Sequence, residues 1–131
     1  NAHTDGDVII QFPKANVIHT GDTFFKGVFP FIDKGTGGSL KGMIASGEKV
    51  LSLCNSKTRI IPGHGALANR KDLKQYIAML KSVQTAMKPY MGKKIKSEDV
   101  IKKAPLKHLD KEWGGGFLNT EAFIKALLIE K

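Results

Sequence analysis

Short β-branched runs alternate with longer stretches in which apolar residues recur at helical spacing. Residues 7–12 (DVIIQF) and 15–20 (ANVIHT) read as two strands, and Pro13-Lys14 between them predicts a tight hairpin connection. Residues 21–39 (GDTFFKGVFPFIDKGTGGS) read as a glycine- and aromatic-rich loop. From 40 to 54, Leu40, Met43, Ile44, Val50, Leu51 and Cys54 form one helical stripe. Residues 58–62 (TRIIP) predict a third strand, closed by Gly63-His64-Gly65. Asn69 then opens a helix with Leu73, Tyr76, Ile77, Leu80, Val83 and Met87 on one face, ended by Pro89. Ser97 reads as the cap of a short helix with Glu98 and Asp99 in its first turn, stopped at Pro105. Residues 113–117 (WGGGF) read as a turn, and residues 119–131 as a last amphipathic helix. The order β-β-α-β-α-α-α predicts an α/β protein, a small mixed sheet with helices packed on one face.

A length of 131 residues suits a single domain, spanning 1–131. No apolar run approaches the ~18–20 residues of a membrane span. The net charge of +9 arises from 21 Lys and Arg against 12 Asp and Glu, and only Arg59 and Arg70 are arginines. Nucleic-acid surfaces favour arginine forks and stacking aromatics, whereas the phenylalanines here sit in apolar contexts. The charge therefore reads as a solvated lysine surface, with neither nucleic acid nor membrane as partner. The lone Cys54 excludes an internal disulfide and leaves cytoplasm and periplasm equally open to a soluble chain.

Topology gives three scattered residues a common address. His3 precedes the first strand and Asp22 follows the second, so an antiparallel hairpin puts both on one sheet edge. A right-handed crossover through the helix at 40–54 would bring the end of the third strand, and His64, to that same edge. Two imidazoles and a carboxylate are ligands that zinc accepts. Gly21, Gly63 and Gly65 let the backbone turn beside them. The residues alone leave two readings: a metal-binding rim, or three unrelated loop residues. Asp5 and Asp7 read either as supports for the loop behind His3 or as a simple polar turn.

The segments AHTDGD (2–7), HTGDTFF (19–25) and IIPGHG (60–65), in that order, resemble the C-terminal half of the metallo-β-lactamase-fold zinc hydrolases. The likeness is closest to bacterial members and covers roughly residues 2–88; the WGGGF tail is similar to an extension that those members carry. The resemblance implies half of an αββα sandwich, with 2–88 as its core and 89–131 as a helical tail. It implies that His3 is the last ligand of a first zinc, that Asp22 serves the second or bridges both, and that His64 binds the second. The activity implied for the intact fold is hydrolysis of an ester, thioester, lactone or β-lactam in a small-molecule substrate. The H-x-H-x-D-H segment that defines the family is not among these 131 residues, whose other histidines are His19 and His108. One ligand for the first ion and two for the second imply weak or absent zinc, and no catalytic residue of the chain's own.

The remaining chemistry-bearing residues read as structural. His19 is a strand histidine, His108 a surface one, Cys54 core and Trp113 a packing anchor for the tail. Residues 35–42 (GTGGSLKG) lack the ending of a phosphate loop and read as a glycine-rich helix entry. Half of a two-sheet sandwich leaves one face open. That face draws on Val8, Ile10, Phe12, Val17, Ile60 and Ile61, with Phe24, Phe25, Phe29 and Phe31 beside it. The expected cover is a second copy in a homodimer, or the missing N-terminal half. The rival to a hydrolase fragment is a non-catalytic module that binds itself or a partner.

Overall fold

A computed structural model describes residues 1–129. The fold is α/β: a small mixed four-stranded sheet and five helices. Strands β1 (Ile10–Phe12), β2 (Val17–Phe25), β3 (Arg59–His64) and β4 (Ala68–Asn69) lie side by side in sequence order. β1 and β4 run antiparallel to their neighbours, while β2 and β3 are parallel. The crossover between the parallel pair is α1 (Leu40–Leu53), and α2 (Arg70–Met87) follows β4. The tail forms α3 (Ser97–Lys102), α4 (Lys107–Trp113) and α5 (Thr120–Leu128).

The period of two along the strands separates the faces. Ile18 of β2 pairs with Ile60 of β3 and, beyond it, Ala68, and all three are buried beneath α1 and α2. Ile10, His19 and Ile61 form the neighbouring row and turn the other way, where Ile10 and Ile61 stay exposed. Val8 and Phe12 are exposed as well. Helices therefore cover one face of the sheet only. The tail joins the same core: Val100, Leu106, Trp113, Phe123 and Leu127 are buried in one cluster with α1 and α2. Trp113 packs near Tyr76 at 6.2 Å, and Phe123 stacks on Phe29 at 4.5 Å.

Capping chemistry sets the helix starts. Ser39 accepts from the Gly42 N–H at the head of α1. Asn69 accepts from the N–H groups of Lys71 and Asp72 while Asp72 accepts from that of Asn69, a reciprocal box. At α3 the cap is Lys96, with no side-chain bond, and Ser97 is the first helical residue rather than the cap.

Five more expectations need correction. The hairpin turn occupies residues 13–16, closed by Asn16 N–H to the Pro13 carbonyl, with Asn16 at φ 53°. Residues 21–25 extend β2 instead of starting a loop, because the backbone resumes pairing past Gly21. β4 and α4 were not foreseen; α4 ends at Trp113, where the turn was expected to begin. Phe24, Phe25 and Phe29 are buried, leaving Phe31 as the uncovered member of that group. The expected last helix ends at Leu128, and Glu130 and Lys131 lie outside the described residues.

Candidate metal centre

His3, Asp22 and His64 meet at one end of the sheet. The first-to-last connectivity does this: His3 precedes β1, Asp22 lies in the far half of β2 and His64 ends β3. Between His19 and Gly21 the β2–β3 register shifts, and Gly21 takes φ 51°, which favours glycine and turns Asp22 toward the rim. Gly63 serves differently from the turn expected of it: a Cβ there would stand 2.1 Å from Asp22 Oδ1 and 2.7 Å from the Gly21 carbonyl oxygen. The Asp22 carboxylate lies in space that only a glycine leaves open.

Each carboxylate oxygen of Asp22 faces one imidazole. His3 Nε2 is 3.6 Å from Oδ2, and His64 Nε2 is 3.5 Å from Oδ1. Both separations exceed a good N–H···O bond. They are close to the ~3.3 Å between two donors on one tetrahedral zinc with bonds of about 2.0–2.1 Å. His3 is held by the bond between Nδ1 and the Phe31 carbonyl, 2.8 Å long. A carbonyl only accepts, so Nδ1 carries the proton, and in the neutral ring the Nε2 lone pair points at Asp22. Lone pair against carboxylate is repulsive until a proton or a cation sits between them. The three side chains are 17%, 38% and 53% exposed for His3, Asp22 and His64, a gradient from wall to solvent.

Asp22 divides its oxygens, so that each side of the carboxylate faces one imidazole. Among the described residues, no three or more His, Cys, Asp or Glu side chains form a cage for a single ion. Each side offers one imidazole and one carboxylate oxygen, whereas a catalytic zinc takes three protein ligands and an open position.

The supports around these three side chains are specific. Asp7 accepts from the N–H groups of Ala2 and Thr4 and from the Thr4 hydroxyl, clamping the turn on either side of His3. Asp5 contributes through its backbone, whose N–H bonds the Thr36 carbonyl at 2.8 Å; its side chain is exposed. His3 itself returns a carbonyl to the Asp33 N–H at 2.9 Å. Behind His64, Phe25 stacks at 4.7 Å and 16°. Lys26 donates its backbone N–H to the His64 carbonyl, and its ammonium to the Leu67 carbonyl and to Asp72.

Sequence reasoning found the three rim residues and missed Lys26, Phe31 and Phe117. Lys26 was one lysine among many; its signal was its place directly after Phe25. Phe31 acts at His3 through a backbone carbonyl, which leaves no trace in residue type. Phe117 reaches the rim from the tail, 6.0 Å from the His64 ring. His19 accepts from the Gly21 N–H and helps shape the bulge; His108 is exposed and bonds Ser82. Cys54 is half-buried with its thiol directed to the Val50 carbonyl, and burial pushes the thiol up from its ordinary value. Ser39 and Leu40 confirm the glycine-rich stretch as a helix entry. Set against known protein families and curated proteins, the chain matches no family model and no curated protein.

Proposed function

We propose that this chain carries one side of a two-zinc hydrolase centre of the metallo-β-lactamase type, with His3, Asp22 and His64 as ligands. The observation that supports it is the division of Asp22, one oxygen toward each imidazole at 3.6 and 3.5 Å. When bound, zinc supplies Lewis-acid polarisation of the scissile group and a nucleophile at neutral pH. The chain's own contribution is placement. Phe31 fixes the His3 ring so that Nε2 faces inward, Asp7 holds the turn that carries it, and Asp22 spans the two positions. The other ligands come from protein outside these 131 residues, since two positions need more donors than three side chains provide. The substrate is a small molecule with an ester, thioester, lactone or β-lactam bond.

The test is a calorimetric zinc titration of the 131-residue chain. Weak binding is expected, abolished by Asp22→Ala and reduced by His3→Ala and by His64→Ala. Zinc affinity indifferent to Asp22→Ala overturns the reading. Two tightly held zinc ions per chain, or zinc-dependent ester turnover lost in His64→Ala, overturns the claim that outside ligands are needed.

A second reading, a self-associating module, is favoured by a separate observation. The sheet face bearing Ile10, Phe12 and Ile61 has exposed apolar side chains, and Val8 is exposed just before β1.

A further inference from the structure

The rim that holds His3, Asp22 and His64 is also the wall of a pocket of about 340 Å³, completed by Phe25, Phe31 and Phe117. We infer that these three phenylalanines seat an uncharged apolar group of the substrate, an aryl or short alkyl moiety, beside the candidate metal positions. The inference rests on the proposed hydrolase reading for what is done to that substrate, but the binding itself does not require zinc.

Three observations carry it. First, the rings are separately placed and converge. Phe25 belongs to β2, Phe31 to the loop before α1 and Phe117 to the tail turn; Phe25 and Phe117 stand 6.2 Å apart, and Phe31 meets His3 edge-on at 5.8 Å. Second, two of them are held out in solvent. Phe31 is 41% and Phe117 62% exposed, although buried phenylalanines elsewhere in the chain show that the core accepts them. The tail turn is pinned so that Phe117 stays at the rim. The Trp113 carbonyl takes the Phe29 N–H at 3.1 Å, and Gly116 lies so close to Val28 that a Cβ would stand 2.7 Å from its side chain. Third, the lining contains no lysine or arginine in a chain of net charge +9. Lys26, in the strand-to-loop junction beside Phe25, is committed to Asp72 and the Leu67 carbonyl. In the metal-free chain the Asp22 carboxylate would repel an anion placed here.

The pocket is at the small end of the roughly 300–1,000 Å³ range of small-molecule sites, so it suits one ring or a short chain. Uncharged aryl or alkyl esters, thioesters and lactones fit this lining.

The test is an NMR titration of the metal-free 131-residue chain with benzyl alcohol and with benzoate, alongside the zinc titration above. Benzyl alcohol should shift the His3, His64 and Phe117 signals saturably, and benzoate should bind more weakly. Phe117→Ala, at an exposed position that leaves the core intact, should weaken benzyl alcohol by about three- to tenfold, the worth of one aromatic contact. Equal binding of benzoate, shifts confined to Ile10 and Phe12 on the open sheet face, or an unchanged affinity in Phe117→Ala overturns the inference. A chain that binds benzyl alcohol, but whose zinc affinity is indifferent to Asp22→Ala, sinks the metal reading alone; one whose zinc binding needs Asp22 but that binds no benzyl alcohol sinks this one alone.

Discussion

The Lys26 ammonium and the Asp72 carboxylate meet at 3.0 Å, and the pair ties the loop carrying His64 to the N-terminus of α2. Lys26 also donates to the Leu67 carbonyl at 3.0 Å and, through its backbone, to the His64 carbonyl at 2.9 Å. Asp72 in turn accepts from the Asn69 N–H. One lysine thus anchors residues 64–72 at three points. Lys26→Met keeps most of the apolar stem but removes the ion pair and the carbonyl bond. The expected loss is about 1–2 kcal/mol in urea unfolding, and Lys26→Arg should recover part of it. A Met variant as stable as the parent would show that the loop holds itself.

The same pair makes stability depend on acid. Burial raises the Asp72 carboxyl, but the Lys26 hydrogen bond, the Asn69 N–H and the charges of Lys26 and Lys71 outweigh it and leave it below its ordinary 3.8. A carboxylate with a depressed folded value stabilises the fold above its unfolded value, and that contribution fades as pH falls through the folded one. Unfolding free energies of the parent and of Asp72→Asn should therefore differ by a constant amount above about pH 5 and converge below 3.8. A difference that persists undiminished at the acid end would assign the effect to the Asn69 cap alone.

Gly63→Ala should disturb the site more than its size suggests. The added methyl would overlap Asp22 Oδ1 at 2.1 Å and the Gly21 carbonyl at 2.7 Å. The carboxylate can rotate away, but the Gly21 backbone is fixed within β2. The expected cost is about 1–3 kcal/mol, the range for overpacking, with movement of Asp22 away from His64. Chemical shifts of the His64 ring that match the parent would contradict this.

The rim was legible because it follows from connectivity. An antiparallel pair and a crossover helix deliver His3, Asp22 and His64 to one end whatever the details between them. The local conformations were harder to read. Residues 21–25 look like a loop because Gly21 interrupts the β-branched run, yet neighbouring β3 supplies partners and the strand continues through Phe25. β4 has two residues, too few for any period. α4 (KHLDKEW) has only Leu109 and Trp113 as apolar residues, too short a stripe to read, and is placed by Trp113, which anchors in the core formed by distant elements. Phe117 could not be placed at the site from sequence, because its position depends on how the whole tail packs.

The last prediction concerns the open sheet face. Ile10, Phe12 and Ile61 are exposed on the side away from the helices, with Val8 exposed before β1 and Leu67 beyond the end of β3. Taking a large side chain as worth roughly 150–250 Å², their uncovered apolar area is on the order of 350 Å². At about 25 cal/mol per Å², covering it is worth roughly 9 kcal/mol per chain, within the span of about 4–15 kcal/mol that association costs. A two-fold contact covers this face on both copies at once, doubling the gain for a single association cost. The 131-residue chain by itself should therefore form a homodimer at micromolar concentration. Phe12→Asp on the short edge strand β1 should shift it to monomer without unfolding it, since Phe12 adds nothing to the buried core. Light scattering that shows a folded monomer for the parent chain would sink the prediction, and so would a dimer that Phe12→Asp leaves intact.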